Sequence, residues 1–352
     1  MSRYWSDLVG QLTPYVPGEQ PQHERLVKLN TNENPYPPSP AVLAAIARVS
    51  ADSLRLYPDP DSTALKRAFA ARHELEPEQV FVGNGSDEVL AHTFQALLKH
   101  RRPVCFPDVS YSFYPVWCDL YGIEYTQVPL TDEFRVDPAD YPADNGGIVI
   151  ANPNAPTGVL LELDAIRQLL LRSSASVVVI DEAYIDFGGA SAVALLAEFD
   201  NLLVVQTLSK SRALAGVRVG VAMGSAALIE GLERVKNSFN SYPLDIIAQR
   251  ATLASLADEA YFEASRRRVI DSRDKLGRDL AALGFEVLPS AANFLFATHP
   301  RRAATELFGA LRKQGIIVRH FDRPRIRDFL RISVGTDEQC ATLLQALRGM
   351  LG

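Results

Sequence analysis

The stretch SVVVIDEAY at residues 176–184, followed by NLLVVQTLSK at 201–210, decides the fold class of this 352-residue chain. Each run begins with apolar, mostly branched residues that show no alternation with polar side chains. This pattern is typical of a strand that is buried on both of its faces. Strands of this kind occur in parallel sheets that are covered by helices, so the two runs predict an α/β fold.

Five more strand candidates lie along the chain, and several of them are also apolar without alternation. They are VFV (80–82), RPVCF (102–106), EYTQV (124–128), GIVIA (147–151) and VGVAMG (219–224). Helical patterns separate several of them, such as the one that places Leu90, Phe94 and Leu97 on one face. The alternation predicts a large domain with a mostly parallel seven-stranded sheet.

The two ends of the chain follow different patterns. Residues 13–40 are rich in Pro and Asn and predict an ordered arm rather than a helix. Beyond residue 225 the pattern is mainly helical, and a second, smaller α/β unit then follows with FEVLPS, NFLFAT, GIIVRHF and FLRISV. We therefore expect an arm and small-domain segment at 1–40, a large domain at 41–240 and a small C-terminal domain at 241–352.

Composition excludes several classes of function. The formal net charge is −6, with both signs spread along the chain, so we expect no nucleic-acid partner. Cys105, Cys118 and Cys340 lie far apart, and the histidines form no short-spaced pair, so we expect neither disulfides nor a metal. The first residues lack the apolar run of a signal peptide, and no stretch is long enough to span a membrane. We expect a cytoplasmic protein with no membrane partner.

Polar or flexible residues follow four of the predicted strands. They are GNGSD (83–87), NPNAPTG (152–158), DEAY (181–184) and LSK (208–210). In open α/β sheets, ligands bind just beyond the carboxyl ends of the parallel strands. We therefore expect these four segments to meet at one site.

Three of these features point to a chemistry. The 83–87 loop opens a helix and offers backbone N–H groups to a phosphate. Asp181 follows a buried strand, where a carboxylate is costly unless it caps a helix or pairs with a cation such as a protonated pyridine nitrogen. Lys210 alone would usually be a surface residue, but in a closed pocket it can form a Schiff base. Ser209 and Arg218 are nearby candidates for phosphate ligands.

A set of motifs in a fixed order carries a family resemblance. NPNAPTG, DEAY, TLSKSRALAGVRVG, NFLF and LRISVGT resemble the aspartate-aminotransferase superfamily of fold-type-I pyridoxal-phosphate enzymes. LNTNENPYPP, LYPDP and GNGSDE are similar to the histidinol-phosphate aminotransferase branch of that superfamily. The match runs from about residue 10 to the end of the chain.

The resemblance implies that pyridoxal 5′-phosphate is carried on Lys210, which would also move a proton between substrate and cofactor. Asp181 would keep the ring nitrogen protonated, Tyr184 would donate to the phenolate oxygen, and Tyr111 would stack on the ring. The implied phosphate ligands are Gly85, Ser86, Asp87, Thr207, Ser209 and Arg218, with Tyr57 reaching across from the neighbouring subunit of a homodimer.

The resemblance also implies the reaction. An amino group would pass between L-histidinol phosphate and 2-oxoglutarate in two half-reactions of histidine biosynthesis, giving glutamate and the corresponding imidazolyl-oxopropyl phosphate. Arg331 would bind the carboxylate of glutamate in one half-reaction and the phosphate in the other, because histidinol phosphate has no carboxylate. Tyr15, Arg319 and Arg325 would face the substrate phosphate.

The chain departs from the family pattern directly before Pro-Thr-Gly. The family usually has an asparagine there that donates to the cofactor's phenolate oxygen, whereas this chain has Ala155. Asn154 or Asn152 would have to supply that bond. We favour Asn154, because side chains at successive strand positions point to opposite faces.

Three other functions compete with this interpretation. An aromatic-amino-acid aminotransferase on the same scaffold would need an apolar pocket without a phosphate-binding arginine. A threonine-phosphate decarboxylase shares much of the motif set, but it would release carbon dioxide and need no oxo-acid acceptor. A non-enzymatic regulator that binds the cofactor is disfavoured, because the chain has neither a helix-turn-helix extension nor a basic face.

Overall fold

The computed structural model describes residues 2–19 and 26–351. Its strands are β1 (Val27–Lys28), β2 (Val80–Asn84), β3 (Val104–Pro107), β4 (Tyr125–Val128), β5 (Ile148–Ala151), β6 (Val178–Asp181), β7 (Leu202–Thr207), β8 (Val219–Gly224), β9 (Glu286–Val287), β10 (Phe294–Thr298), β11 (Ile316–Ile317), β12 (Arg319–His320) and β13 (Phe329–Ser333). Its helices are α1 (Pro40–Ala47), α2 (Ala51–Leu54), α3 (Thr63–His73), α4 (Gly85–Leu97), α5 (Tyr114–Tyr121), α6 (Leu163–Arg172), α7 (Ala226–Phe239), α8 (Ile246–Ala257), α9 (Glu259–Ala282), α10 (Ala304–Lys313) and α11 (Asp337–Leu351).

The large sheet contains all seven of the strands predicted before residue 225, in the order β2-β8-β7-β6-β5-β3-β4. The strands from β7 to β4 are parallel, while β8 runs antiparallel to both of its neighbours. With its smaller second domain, this sheet confirms the predicted fold class. Because β8 alone is reversed, the carboxyl ends of β2, β5, β6 and β7 share one edge of the sheet. Arg218, which directly precedes β8, lies at the same edge.

Both faces of the large sheet are buried around its central strands, which explains why those strands show no polar alternation, whereas the edge strand β4 is exposed over Tyr125 to Gln127. Val178 and Ile180 pack into the core on one face, while Val179 and Leu203 pack into the core on the other. Close packing on both faces fixes the position of β6. The next residue, Asp181, is therefore fixed at the sheet edge and stays buried with the strand.

A glycine on β8 sets the position of the first turn of α4. A methyl group on Gly220 would lie 2.4 Å from the backbone nitrogen of Ser86 and 2.5 Å from the carbonyl carbon of Gly85. Gly85 itself has a φ of +80°, a conformation that favours glycine. The N-terminus of α4 can therefore lie directly against the end of the sheet.

The smaller domain is built from both ends of the chain. Its antiparallel sheet has the order β12-β13-β10-β9, and β1 pairs in parallel with β11 beside it. Leu29 near the N-terminus shares a core with Leu276 of α9, Leu307 of α10 and Leu343 of α11. The arm therefore reaches the site from the small domain.

The predicted domain boundary near residue 240 stays a prediction. Beyond it, Leu244, Ala248 and Ala251 still pack into the core beneath the large sheet. Leu276 and Leu280, near the end of α9, belong instead to the core of the small domain. This packing indicates that the chain passes from the core of the large domain to the core of the small domain within α9.

No helix within residues 2–19 and 26–351 is long and apolar enough to cross a membrane. The cytoplasmic location stays a prediction from the sequence.

Candidate active site

A cavity of about 250 Å³ lies where the carboxyl ends of the large-sheet strands face the small domain. It brings together many of the residues singled out from the sequence. Those that line it are Tyr15, Ser86, Asp87, Tyr111, Asp181, Tyr184, Thr207, Ser209, Lys210, Arg218, Arg319 and Arg331. Ala155 and Pro156 of the 152–158 segment also line the cavity, so the four strand-end segments meet at one place, as expected.

The remaining predicted site residues lie outside the lining. Gly85 lies directly behind Arg218, where a methyl group would come within 2.4 Å of the guanidinium. Tyr57 is 83% exposed and stacks on Tyr242 at 4.7 Å between ring centroids. Arg325 pairs with Asp108 at 2.7 Å and also donates to two backbone carbonyls, so its guanidinium holds a loop. Arg325 therefore does not reach the cavity in this arrangement.

Asp181 is the most constrained group of the site. Its Oδ2 atom accepts a 2.9 Å hydrogen bond from the hydroxyl of Tyr114, whereas its buried Oδ1 atom has no hydrogen-bond partner among the described residues. Burial raises the pKa of Asp181 to about 6. A carboxylate in this position needs a cationic N–H partner to offset the cost of its burial. The protonated nitrogen of an aromatic ring fits that requirement.

Tyr114 is a functional residue that sequence reasoning missed. It is fully buried at the first turn of α5 and lies 5.8 Å from the ring of Phe106. The hydrogen bond it donates opposes the effect of burial on the pKa of Asp181. Its position in YSFYP, three residues after Tyr111, was the only local signal.

An anion site lies at the N-terminus of α4. Arg218 donates to Asp87 at 3.1 Å, and the hydroxyl of Tyr111 donates to the other oxygen of the same carboxylate at 3.0 Å. Asp87 therefore orients an arginine and an aromatic ring beside the helix terminus. Thr207 and Ser209 place a linked pair of hydroxyls opposite, 3.0 Å apart. Backbone N–H groups, hydroxyls and a guanidinium together suit a phosphate.

Lys210 is held at both ends by the N-terminal arm. Its Nζ atom donates to the carbonyl oxygen of Thr31 at 3.1 Å. The side-chain amide of Asn34 donates to the backbone carbonyl oxygens of Lys210 and Ser211 at 3.1 and 3.0 Å. Neither arm residue was selected from the sequence, because both contacts join positions more than 170 residues apart.

Two arginines of the small domain face the cavity without forming an ion pair among the described residues. Arg331 is half-buried. Its Nη2 atom donates to the carbonyl oxygen of Asn30 at 2.9 Å, while its buried Nε atom has no described partner. Burial lowers the pKa of Arg331, and the neighbouring charge of Arg319 lowers it further. Two unpaired guanidinium groups in a closed site favour an anionic ligand.

Asn152 and Asn154, the two candidates to replace the amide that is missing at position 155, do not line the cavity, whereas Ala155 does. Asn154 donates to the carbonyl oxygen of Val109 and to the hydroxyl of Thr157, both at 3.0 Å, so both of its amide hydrogens are engaged. Asn152 is bonded across the same loop to the backbone of residue 161. A contact between Asn154 and a cofactor stays a prediction, and the geometry does not support it.

Comparison with known proteins gives consistent results. The profile of the family "Aminotransferase class I and II" matches residues 24–347. The chain is 62% identical over 351 residues to histidinol-phosphate aminotransferase 1 of Bradyrhizobium diazoefficiens, covering 100% of both proteins. It is 60% identical over 355 residues to histidinol-phosphate aminotransferase of Aromatoleum aromaticum, again covering 100% of both.

Solved structures show the same fold. Histidinol-phosphate aminotransferase from Sinorhizobium meliloti, in complex with pyridoxal-5′-phosphate, superposes with a TM-score of 0.89 at 24% identity and covers 99% of each chain. At this level of identity, the likeness shows the fold alone.

The charge of Asp181 should destabilise the cofactor-free protein. Its pKa is about 6 in the folded protein, against 3.8 ordinarily, so the folded state loses stability as the pH rises through this range. Asp181→Asn keeps an acceptor for Tyr114 and removes the charge. We expect it to raise the free energy of unfolding by roughly 2–3 kcal/mol at pH 8 and by less at pH 5. Urea unfolding of cofactor-free protein measures this difference.

Glu182→Gln is the matched control for this experiment. Burial also raises the pKa of Glu182, to about 7. Both of its oxygens, however, accept hydrogen bonds, from Ser191, Gln206 and the backbone N–H of Ala192. A glutamine would turn an N–H₂ group toward these donors, so this variant should lose stability. An Asp181→Asn protein that is no more stable than wild type at pH 8 would contradict the account of the unpaired oxygen.

Proposed function

Because the chain belongs to the class I and II aminotransferases, we propose that it transfers the amino group of L-histidinol phosphate to 2-oxoglutarate, with pyridoxal 5′-phosphate as its cofactor. Relatives that are 60–62% identical over the full length carry the corresponding name. The observation that carries the substrate assignment is the pair of guanidinium groups, Arg319 and Arg331, that face the cavity without an ion pair among the described residues.

The residues present fit the proposed cofactor. The unpaired Oδ1 atom of Asp181 suits the protonated ring nitrogen, and the amine of Lys210 suits the aldehyde. The N-terminus of α4, with Arg218 beside it, suits the phosphate. When bound, the cofactor supplies an aldehyde that takes up the amino group and a ring that delocalises the electron pair left on the substrate carbon.

Lys210 is the proposed acid and base. Its amine would take up the proton from the substrate carbon that bears the amino group, and in the other half-reaction it would deliver a proton to the corresponding carbon of the amino acceptor. A group that acts in both directions must stay within hydrogen-bond reach of the reacting atoms. The carbonyl oxygen of Thr31 and the amide of Asn34 hold the lysine at the end of β7. Asp181 stays ionised as the partner of the ring nitrogen throughout.

Arg331 is the proposed anion receptor for both substrates, and Arg319 is a proposed receptor for the substrate phosphate. Arg331 would bind the carboxylate of glutamate in one half-reaction and the phosphate of histidinol phosphate in the other. Tyr15 stacks on Phe113 at 4.7 Å and lies 6.3 Å from Tyr111, which gives the cavity an aromatic wall. Such a wall suits an imidazole ring and keeps water away from the reacting carbon.

Arg319→Ala should separate the two substrates. If Arg319 binds the phosphate, its loss should reduce kcat/KM for histidinol phosphate more than for glutamate, by roughly 2–5 kcal/mol of transition-state stabilisation. A coupled assay of glutamate formation measures the first substrate, and the reverse half-reaction measures the second. Arg325→Ala is the matched control, because its guanidinium is bound to Asp108 outside the cavity.

Three outcomes of this assay would contradict the proposal. Equal reductions of kcat/KM for both substrates would show that Arg319 does not bind the phosphate. A wild-type enzyme that prefers phenylalanine or tyrosine would be an aromatic-amino-acid aminotransferase. Release of carbon dioxide from threonine phosphate, without an oxo-acid acceptor, would indicate the decarboxylase.

We further propose that the protein is a homodimer in which Tyr57 completes the phosphate site of the partner. Tyr57, Tyr242 and Phe239 are exposed, and an exposed apolar surface of this kind is typical of an interface. The turn that carries Tyr57 is fixed, because the buried amine of Lys236 donates to the carbonyl oxygen of Pro60 at 3.1 Å. A rigid turn with an exposed tyrosine can enter a neighbouring site at little entropic cost.

Mixed dimers test this donation. Two-fold symmetry requires each subunit to contribute Tyr57 to the site of the other. A dimer of one Tyr57→Phe chain and one Lys210→Ala chain therefore has one site with both substitutions and one site with neither. We expect such dimers to show about half of the wild-type activity, a ratio set by the two equivalent sites. If Tyr57 served its own subunit, exchange would give no gain over Tyr57→Phe, which must first be shown to be impaired as a homodimer.

A further inference from the structure

Asn32 lies in the arm beside the cavity and has a fixed amide orientation. It is 1% exposed, with a φ of +58°. Its backbone N–H donates to the hydroxyl oxygen of Ser333 at 2.9 Å, so the single proton of that hydroxyl is free to donate to Asn32 Oδ1 at 2.8 Å. The amide nitrogen must therefore face the other way, and it donates to the hydroxyl of Tyr184 at 3.0 Å.

The bond from Asn32 determines where Tyr184 can direct its own proton. With its oxygen already accepting from the amide, the hydroxyl is left with one proton to donate, and Tyr184 lines the cavity. A hydroxyl that accepts a hydrogen bond is a stronger donor in turn. The ring is held by Phe294 in an edge-on contact at 5.0 Å, and it packs against Ala155.

The 152–158 loop, which forms the cavity wall beside Tyr184, directs no side-chain amide into the cavity. Ala155 presents a methyl group to the cavity, and both amide hydrogens of Asn154 are engaged in the loop. An amide that is nine-tenths buried, at the site wall and bonded to Tyr184, is instead supplied by Asn32 from a distant part of the chain. Position 155 therefore has no amide, and the amide of Asn32 acts on the same part of the cavity wall through its hydrogen bond to Tyr184.

We propose that Asn32 is a positioning residue that aims the hydroxyl proton of Tyr184 at the phenolate oxygen of the cofactor, in place of a direct amide donor at position 155. This inference rests on the cofactor assignment made above, but not on the identity of the substrate. The charged groups that face Tyr184 from neighbouring elements are Lys210, whose amine lies 5.7 Å from the ring centroid, and Arg331. Neither is altered in the variants below.

The test is a pH titration of the visible absorbance of the full-length protein loaded with pyridoxal phosphate. A donor at the phenolate oxygen favours the form in which the nitrogen joined to Lys210 has lost its proton, because that oxygen then carries more negative charge. Removing the donor should therefore raise the midpoint. Asn32→Gly, which accommodates the positive φ at no steric cost, should raise it by about one pH unit.

A double-variant comparison shows whether Asn32 acts through Tyr184. In a Tyr184→Phe background, Asn32→Gly should cause no further rise of the midpoint. The same rise in both backgrounds would overturn the proposal, because Asn32 would then act on the cofactor directly. An unchanged midpoint in Asn32→Gly, or a shift caused by Asn154→Ala instead, would also overturn it. Asn152→Ala is the matched control, because it removes a buried loop amide outside the cavity.

Ser333→Ala provides a second variant should Asn32→Gly fail to fold. It leaves Asn32 in place but removes the hydroxyl that fixes the orientation of the amide. We expect a smaller rise of the midpoint that again disappears in the Tyr184→Phe background, and no rise would overturn the proposal. A protein that titrates as expected but does not use histidinol phosphate would refute the substrate assignment and leave the role of Asn32 standing.

Discussion

The structure depends on one unbalanced charge, the carboxylate of Asp181 at the end of a strand that is buried on both faces. One of its oxygens accepts from Tyr114, and the other has no partner among the described residues. The double-sided core of the large sheet fixes this buried group at the wall of the cavity. A carboxylate held in this way is costly unless a cation pairs with it. The same edge of the sheet carries the anion site at the start of α4 and, after β7, Lys210. We therefore expect this carboxylate to lower the stability of the cofactor-free protein and to favour a ligand whose ring nitrogen is charged.

The N-terminal arm links the two domains at the point where the chemistry takes place. The carbonyl oxygens of residues 30 and 31 accept from Arg331 of the small domain and Lys210 of the large domain. The amide of Asn32 then contacts Tyr184 of the large domain and Ser333 of the small domain. Three successive residues thus connect the proposed anion receptor, the proposed base and the proposed phenolate donor.

Much of this arrangement could be predicted from the sequence, for reasons that differ by element. The central strands were recognisable because a strand buried on both faces cannot alternate, and the strand-end motifs followed from the geometry of parallel sheets. Tyr114 and Asn32 were missed because their roles depend on contacts across 67 and 152 residues, which no local pattern encodes. The resemblance implies that Arg325 faces the substrate phosphate, but its ion pair with Asp108 holds it outside the cavity. The preference for Asn154 assumed regular strand geometry in a loop where the amide bonds back to its own turn.

The most direct test of the account is the identity of the lysine that carries the cofactor. The purified protein should be loaded with pyridoxal phosphate, reduced with borohydride, digested and mapped by mass spectrometry. The account predicts one modified peptide, containing Lys210, and no stable modification in the Lys210→Ala protein, although that variant should still bind the cofactor through its phosphate. Modification of a different lysine in the wild-type protein would contradict the assignment of the cavity at the strand ends as the active site.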